Sequence, residues 1–351
     1  MAYSISQADI DIDKDKEILT ELWRRNFGRV PEGRFKWIYE NNPSGYPTCF
    51  LVQHSETGSV VGSFSLFPRT IFIHGKSVQA LISGDLVVDQ KHRVIGLAIK
   101  MIKSAISMCD RNASGVLLGV PNEKSYGVSL KAGSEILGDV CEMTQVLRTY
   151  SYIRRHIHFP FMARVLSSLL DLKFRVLARG LFRARKDNYA IEIGSGFNEK
   201  FDELWEKLLE KYSFVGERSS RFLEWRFNQS PYNKYKVFTL ASSRNRVLLG
   251  YVIFCANGEK VTIADIGFDG TENSFTELLS SFSLHQREQG AESISLSISG
   301  HAKLINLLED MGYSLRSRKK KVLIYAPAKL KAALKSIKTA RWFLTYADND
   351  I

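Results

Sequence analysis

The sequence predicts an α/β (α+β) chain made of two tandem units, each a mixed β-sheet with helices on both faces. Three observations carry that prediction. A β-branched, proline-free run, Ala80–Val88, precedes a helical stripe of Leu97, Ala98, Met101, Ile102, Ala105 and Ile106, with Lys100 and Lys103 on the opposite side. A second apolar run, Gly115–Val120, leads through Pro121-Asn122 into a short helix ending at Leu130-Lys131-Ala132-Gly133. Finally, landmarks of the first half return in the second in the same order.

Upstream of Ala80 the pattern gives a first strand, a helix around Lys14–Asn26, and the phrase Arg34-Phe35-Lys36-Trp37…Asn42-Pro43. A hairpin follows, Cys49–Gln53 and Val60–Phe67 about a turn at Glu56–Ser59. A separate strand near Thr70–Ile73 turns at His74-Gly75-Lys76, and Val140–Tyr150 is expected to close the first unit.

Glu21-Leu22-Trp23 recurs as Glu203-Leu204-Trp205. Trp37, Pro43 and Gly62 return 188 positions later as Trp225, Pro231 and Gly250; Asp85 and Asp89 return 180 positions later as Asp265 and Asp269. Gly133 has its counterpart in Gly312. Offsets that change only where loops fall point to a tandem duplication. The expected limits are 1–149 for the first unit, 150–189 for a connector, 190–326 for the second unit, and 327–351 for a C-terminal helix and tail.

The 44% hydrophobic and 25% charged residues are those of a globular chain. No uncharged apolar run of about 18 residues exists, so no transmembrane segment is expected. The start, MAYSISQADIDIDKDK, lacks a basic stretch followed by an apolar one, which makes a cytoplasmic location the expectation. Cys49, Cys109, Cys141 and Cys255 lie without metal-ligand spacing, and no metal is expected. The net charge of +12 asks for a polyanionic partner. Nucleic acid is not that partner, because no helix-turn-helix, zinc finger or aromatic-studded basic strand accompanies the charge. Much of it sits in the connector: Tyr150–Lys186 carries nine Lys and Arg against a lone Asp171, with an apolar stripe including Met162, Val165, Leu166 and Leu169. This reads as a linking helix packed on the domains, with a helix lying on an anionic membrane surface as the alternative.

Between the Ala80–Val88 strand and its helix lies Arg93-Val94-Ile95-Gly96-Leu97-Ala98, an R-x-x-G-x-A turn. A helix start offers unpaired N–H groups and the positive end of the macrodipole, and a small residue admits a phosphate to the backbone. The turn reads as a pyrophosphate cradle. After Asp269 the second copy has Gly-Thr-Glu-Asn-Ser-Phe, with no arginine and with Glu272 where a phosphate would be repelled. One copy is therefore expected to bind a cofactor.

Strand, R-x-x-G-x-A, helix, strand, Asn, and a helix closed by K-x-G together resemble the GNAT acetyltransferase superfamily. The resemblance implies that acetyl-coenzyme A, or another acyl-coenzyme A, lies where two parallel strands splay. Leu86, Val87 and Val88 would contact pantetheine, and Arg93, Val94, Ile95, Gly96, Leu97 and Ala98 would hold the pyrophosphate. Asn122 would fix the cofactor's arm from the other side. Acyl transfer needs a base for the nucleophile and an acid for the leaving thiolate. Strand alternation sets Ser83 and Asp85 on one face, making Asp85 the carboxylate beside the thioester; the retention of Asp265 in the second copy favours a structural role instead. The family's usual tyrosine falls at Ser129, and Tyr126, one helical turn earlier, is the substitute.

The Lys36–Pro43 phrase, Asp85-Leu86-Val87-Val88-Asp89 and the terminal Trp342-Phe343-Leu344…Asp348-Asn349-Asp350 resemble the tandem two-domain branch associated with bacterial polysaccharide biosynthesis. That branch implies an amino sugar or other carbohydrate as the small-molecule acceptor, bound between the copies. The alternatives are a catalytically silent coenzyme A-binding or assembly protein and a peripheral membrane protein.

Overall fold

Cys49-Phe50-Leu51-Val52 is apolar without alternation, as befits a strand covered on both faces. Cys49 and Leu51 join the cluster around Leu19 and Trp23, whereas Phe50 and Val52 join the one around Leu97, Met101 and Ile102. The helices α1 (Asp13–Phe27) and α2 (Leu97–Asn112) supply those two covers. The computed structural model describes residues 3–8, 13–28, 30–93, 96–112, 115–154, 156–157, 159–162, 164–169, 188–337 and 339–349.

Among these residues the strands form two eight-stranded mixed sheets. The first runs β1 (Tyr3–Ala8), β2 (Thr48–His54), β3 (Val60–Ile73), β4 (Lys76–Val88), β5 (Gly115–Gly119), β15 (Lys321–Tyr325) and β6 (Glu135–Asp139), with β9 (Phe214–Gly216) also on β3. The second runs β14 (Tyr313–Ser317), β7 (Cys141–Val146), β13 (Ser293–Gly300), β12 (Lys260–Phe268), β11 (Leu248–Asn257), β10 (Lys236–Ser242) and β8 (Tyr189–Gly194), with β16 (Phe343–Leu344) on β13.

Strand exchange corrects the expected closure of the first unit. Cys141–Val146 leaves its own half and pairs between β13 and β14, while Lys321–Tyr325 from the second half inserts between β5 and β6. Each traded strand buries apolar side chains in the other half's core: Cys141 and Met143 in one, Val322 and Ile324 in the other. A period-two pattern identifies a strand but not the sheet that receives it.

The two strands expected at Val60–Phe67 and Thr70–Ile73 are one, running through Pro68. Pro68 falls between the pairing with β2, which ends at Leu66, and the pairing with β9, which starts at Ile71. Pro68 is opposite Leu81 on β4, and its carbonyl accepts from Asn42 Nδ2, so this residue's polar backbone is turned away from the β4 ladder. The turn to β4 is His74-Gly75, both at positive φ, which suits a two-residue hairpin.

The repeat expected from spacing is visible in local geometry. Lys36–Glu40 and Glu224–Asn228, 188 positions apart, are both π-helical turns. Trp37 Nε1 donates to the Trp225 carbonyl and Trp225 Nε1 to the Trp37 carbonyl, each at 2.8 Å. Gly62 faces Val88 as Gly250 faces Phe268, and a Cβ on Gly62 would lie 2.8 Å from the Val87 carbonyl oxygen. One cluster, holding Trp23 and Trp37 with Phe222, Trp225 and Tyr251, spans both halves.

Candidate active site

β4 and β5 run parallel and pair only from Gln79↔Gly115 to Ile82↔Leu118. Beyond that point they part, and a cavity of about 560 Å³ opens between Ser83–Leu86 on one side and Leu117–Asn122 on the other. Gly119 permits close approach at the point of parting, where the Ser83 hydroxyl occupies the space a Cβ would take. Tyr232, Ser297, Lys320, Leu323, Tyr346 and Asn349, all from the second half and its tail, complete the wall.

Strand alternation, the basis for setting Ser83 and Asp85 on one face, fails at this place. The register with β3 passes from Ser65↔Gly84 to Ser63↔Val87, so β4 carries an extra residue, and Asp85 sits at φ 49°. Ser83, Gly84, Asp85 and Leu86 consequently all line the cavity. Of the three residues implied to contact pantetheine, Leu86 lines the cavity; Val87 is buried, and Val88 packs at the edge of the α2 cluster.

Asp85 is held on both oxygens. Arg34 donates to Oδ1 at 2.7 Å and to Oδ2 at 3.1 Å, and the Tyr39 hydroxyl donates to Oδ2 at 2.8 Å. The Arg34 and Asp85 side chains are each only 6% exposed. Burial alone would lower the Arg34 pKa, but the adjoining Asp85 carboxylate outweighs it and the net direction is upward. Burial also raises Tyr232, with Arg34 pulling it back, so this phenol is protonated at neutral pH. Sequence reasoning missed Arg34, Tyr232, Tyr346, Asn349 and Lys320 as site residues. Arg34 had a signal in the Arg34–Trp37 phrase; the others reach the cavity only through the fold.

Asn122 caps helix α3 (Glu123–Ala132), its Oδ1 accepting from the backbone N–H of Lys124 and Ser125. It lines the cavity with Ser125 and Ser129, and the Ser129 hydroxyl donates to the Ser125 carbonyl at 3.1 Å. Tyr126, half-buried on the same helix, is not on the cavity wall. At the head of α2, Gly96 has φ 110° and its carbonyl accepts from Lys100 N–H at 2.8 Å, so it starts the helix. Among the described residues, chain neighbours and the helix's own backbone aside, nothing stands within 4 Å of where its Cβ would be. Leu97 is buried and Ala98 half-buried, while Arg93 is exposed and donates through Nε to the Val88 carbonyl. Val94 and Ile95 lie outside the described residues.

The corresponding place in the second half is closed. β12 and β13 pair from Lys260↔Ser293 to Ile263↔Leu296. Past that, β13 pairs with β16 through Ser299↔Leu344 and Gly300↔Phe343, and Thr345 Oγ1 donates to Asp265 on β12. Arg218 binds Asp265 at 3.1 Å and Asp348 at 2.5 Å, and Arg69 of the first half reaches Asp348 at 3.2 Å. Burial raises Asp265, whereas for Asp348 the Arg218 charge overcomes burial and the direction is downward. At the head of the helix Glu272–Glu288, Glu272 itself is paired with Lys303 and lies near Arg341.

Residues 12–133 match the sequence profile of the acetyltransferase (GNAT) domain family. No curated protein sequence matches the chain. Among solved structures, a conserved protein of unknown function from Enterococcus faecalis V583, described as a probable N-acyltransferase, aligns over 93% of this chain and 72% of its own, with TM-score 0.66 and 13% identity. A GCN5-related N-acetyltransferase from Anabaena variabilis aligns over 92% of this chain and 72% of its own, with TM-score 0.61 and 13% identity. N-myristoyltransferase from Saccharomyces cerevisiae, solved with bound myristoyl-CoA, aligns over 92% and 82%, with TM-score 0.53 and 12% identity. At these identities the likeness is one of fold.

Proposed function

We propose that the protein is an acyl-coenzyme A-dependent acyltransferase, in its simplest form an N-acetyltransferase, acting on a small acceptor such as an amino sugar. The observation that carries this reading is the gap where β4 and β5 part beside a helix that starts at a glycine. Unpaired strand backbone takes up an extended, amide-bearing arm as an added strand. A helix start with a small residue accepts the arm's phosphates. Leu86 then supplies apolar contact within the gap, and Gly96 with Leu97 and Ala98 supplies N–H groups at its end.

The acceptor enters against the wall built by Tyr232, Ser297, Lys320, Tyr346 and Asn349. An amine attacking the thioester carbonyl would form the C–N bond and break the C–S bond, giving its proton to water in the cavity while the thiolate would take one from a donor on the wall. Asp85 is read as the anchor of the bulge and of Arg34 rather than as the base, because both its oxygens already accept hydrogen bonds. The Tyr232 phenol is the proton donor this reading favours for the thiolate. Ser129 is the less apt donor, its hydroxyl being committed to Ser125.

Incubation with acetyl-coenzyme A and a panel of amino sugars, followed by mass spectrometry, tests the proposal. An acetylated sugar that disappears in Gly96→Glu supports it. The commitment of Asp85 also favours a second reading, a catalytically silent coenzyme A-binding protein. Binding by calorimetry without product from any acceptor selects that reading, and absence of binding overturns both.

A further inference from the structure

We propose that the described residues between 152 and 169 form a docking surface for an anionic lipid bilayer. Residues 160–162 and 164–169 are helical, and Met162, Val165, Leu166 and Leu169 fall at the spacing of one helix face. That face is turned outward: Leu169 is 61% exposed, and Phe161, just ahead of it, 77%. The residue the helix buries is polar. Ser167 is 5% exposed, and its carbonyl accepts from Thr149 Oγ1. A linking helix packed on the body would bury its leucines; here Val165, Leu166 and Leu169 are exposed and Ser167 is the buried side chain. Residues 170–187, the rest of the connector, lie outside the described residues.

The occupant follows from charge. Arg154, His156 and Arg164 are exposed among these apolar side chains, and Tyr150–Lys186 holds nine Lys and Arg against one Asp in a chain of net charge +12. An apolar stripe flanked by cations matches an anionic headgroup layer over acyl chains. A second copy of the chain would present the same positive charge and be repelled. This inference stands apart from the acyltransferase reading.

Flotation of the full chain with vesicles of phosphatidylglycerol and phosphatidylcholine, against vesicles of phosphatidylcholine alone, decides it. The chain is expected to float with the anionic vesicles, with binding about tenfold weaker when salt rises from about 0.05 M to about 0.5 M. F161S/L169S is expected to lose flotation while keeping its melting temperature, because both side chains are exposed. Arg164→Glu is expected to weaken flotation with the apolar stripe intact. The proposal is overturned if the wild-type chain does not float at low salt, or if F161S/L169S floats equally well. A dimer in light scattering that F161S/L169S dissolves, without lipid binding, would assign the stripe to a second copy instead.

Discussion

The places around Asp85 and Asp265 are built alike and used differently. Each carboxylate sits where a parallel strand pair stops pairing, and each is bound by a buried arginine and a tyrosine. At Asp85 the strands enclose a cavity of about 560 Å³. At Asp265 the chain's own tail enters, pairing with β13 through Phe343 and Leu344 and bonding β12 through Thr345. The comparison separates two properties that one motif can suggest together. A carboxylate at the parting of two strands holds a buried arginine and a tyrosine hydroxyl in both halves. Of these two places, among the described residues, the one at Asp85 leaves room for a ligand.

The largest expected effect follows from the exchanged strands. A fragment ending at residue 149 lacks β15, leaving β5 and β6 without the strand between them and Met143 without its core. It is expected not to fold, read as loss of the cooperative melt in circular dichroism; co-expression with residues 150–351 is expected to restore it. A stable fragment would mean the halves are independent after all.

Next comes the buried charge cluster of the closed half. Asp348→Asn leaves Arg218 and Arg69 short of a counter-charge at 1% and 5% exposure, and is expected to cost about 3–5 kcal/mol in urea unfolding. In the open half, Arg34→Ala strips two hydrogen bonds from Asp85, but water in the adjoining cavity can replace part of them. About 1–3 kcal/mol is expected, together with loss of transfer activity. Equal costs at the two sites would erase the distinction drawn here.

Gly96→Glu sharpens the comparison at the helix start. A non-glycine residue at φ 110° costs about 1–3 kcal/mol, and the carboxylate opposes any phosphate, so coenzyme A binding by calorimetry is expected to vanish. The converse change, Glu272→Gly, is expected to create no binding, because the tail already fills that half. The smallest effect belongs to the tryptophan pair: Trp225→Phe removes one of two reciprocal hydrogen bonds at a cost of about 0.5–1.5 kcal/mol in thermal melts.

Much of the local structure around the cavity was legible. The helix α2, strands β4 and β5 and the glycine at φ 110° stand where apolar periodicity and turn chemistry put them. These features depend on residues within a turn or two of each other. The bulge at Asp85 was hidden, because an extra residue in a ladder depends on the partner strand, Ser63–Ser65, which lies twenty residues upstream. The pairing of Arg34 with Asp85 was hidden for the same reason: it spans 51 positions.

By itself, then, the sequence determined that two similar units exist and that the glycine start of the helix belongs to the first alone, since spacing and side-chain size are local and additive. Tertiary structure alone decided which sheet receives β7 and β15, which splayed pair stays open, and that Tyr232, Tyr346 and Asn349 meet the first half's cavity. A strand's hydrogen-bonding edge is the same backbone whatever its sequence, so its partner is selected by the burial that the whole chain achieves.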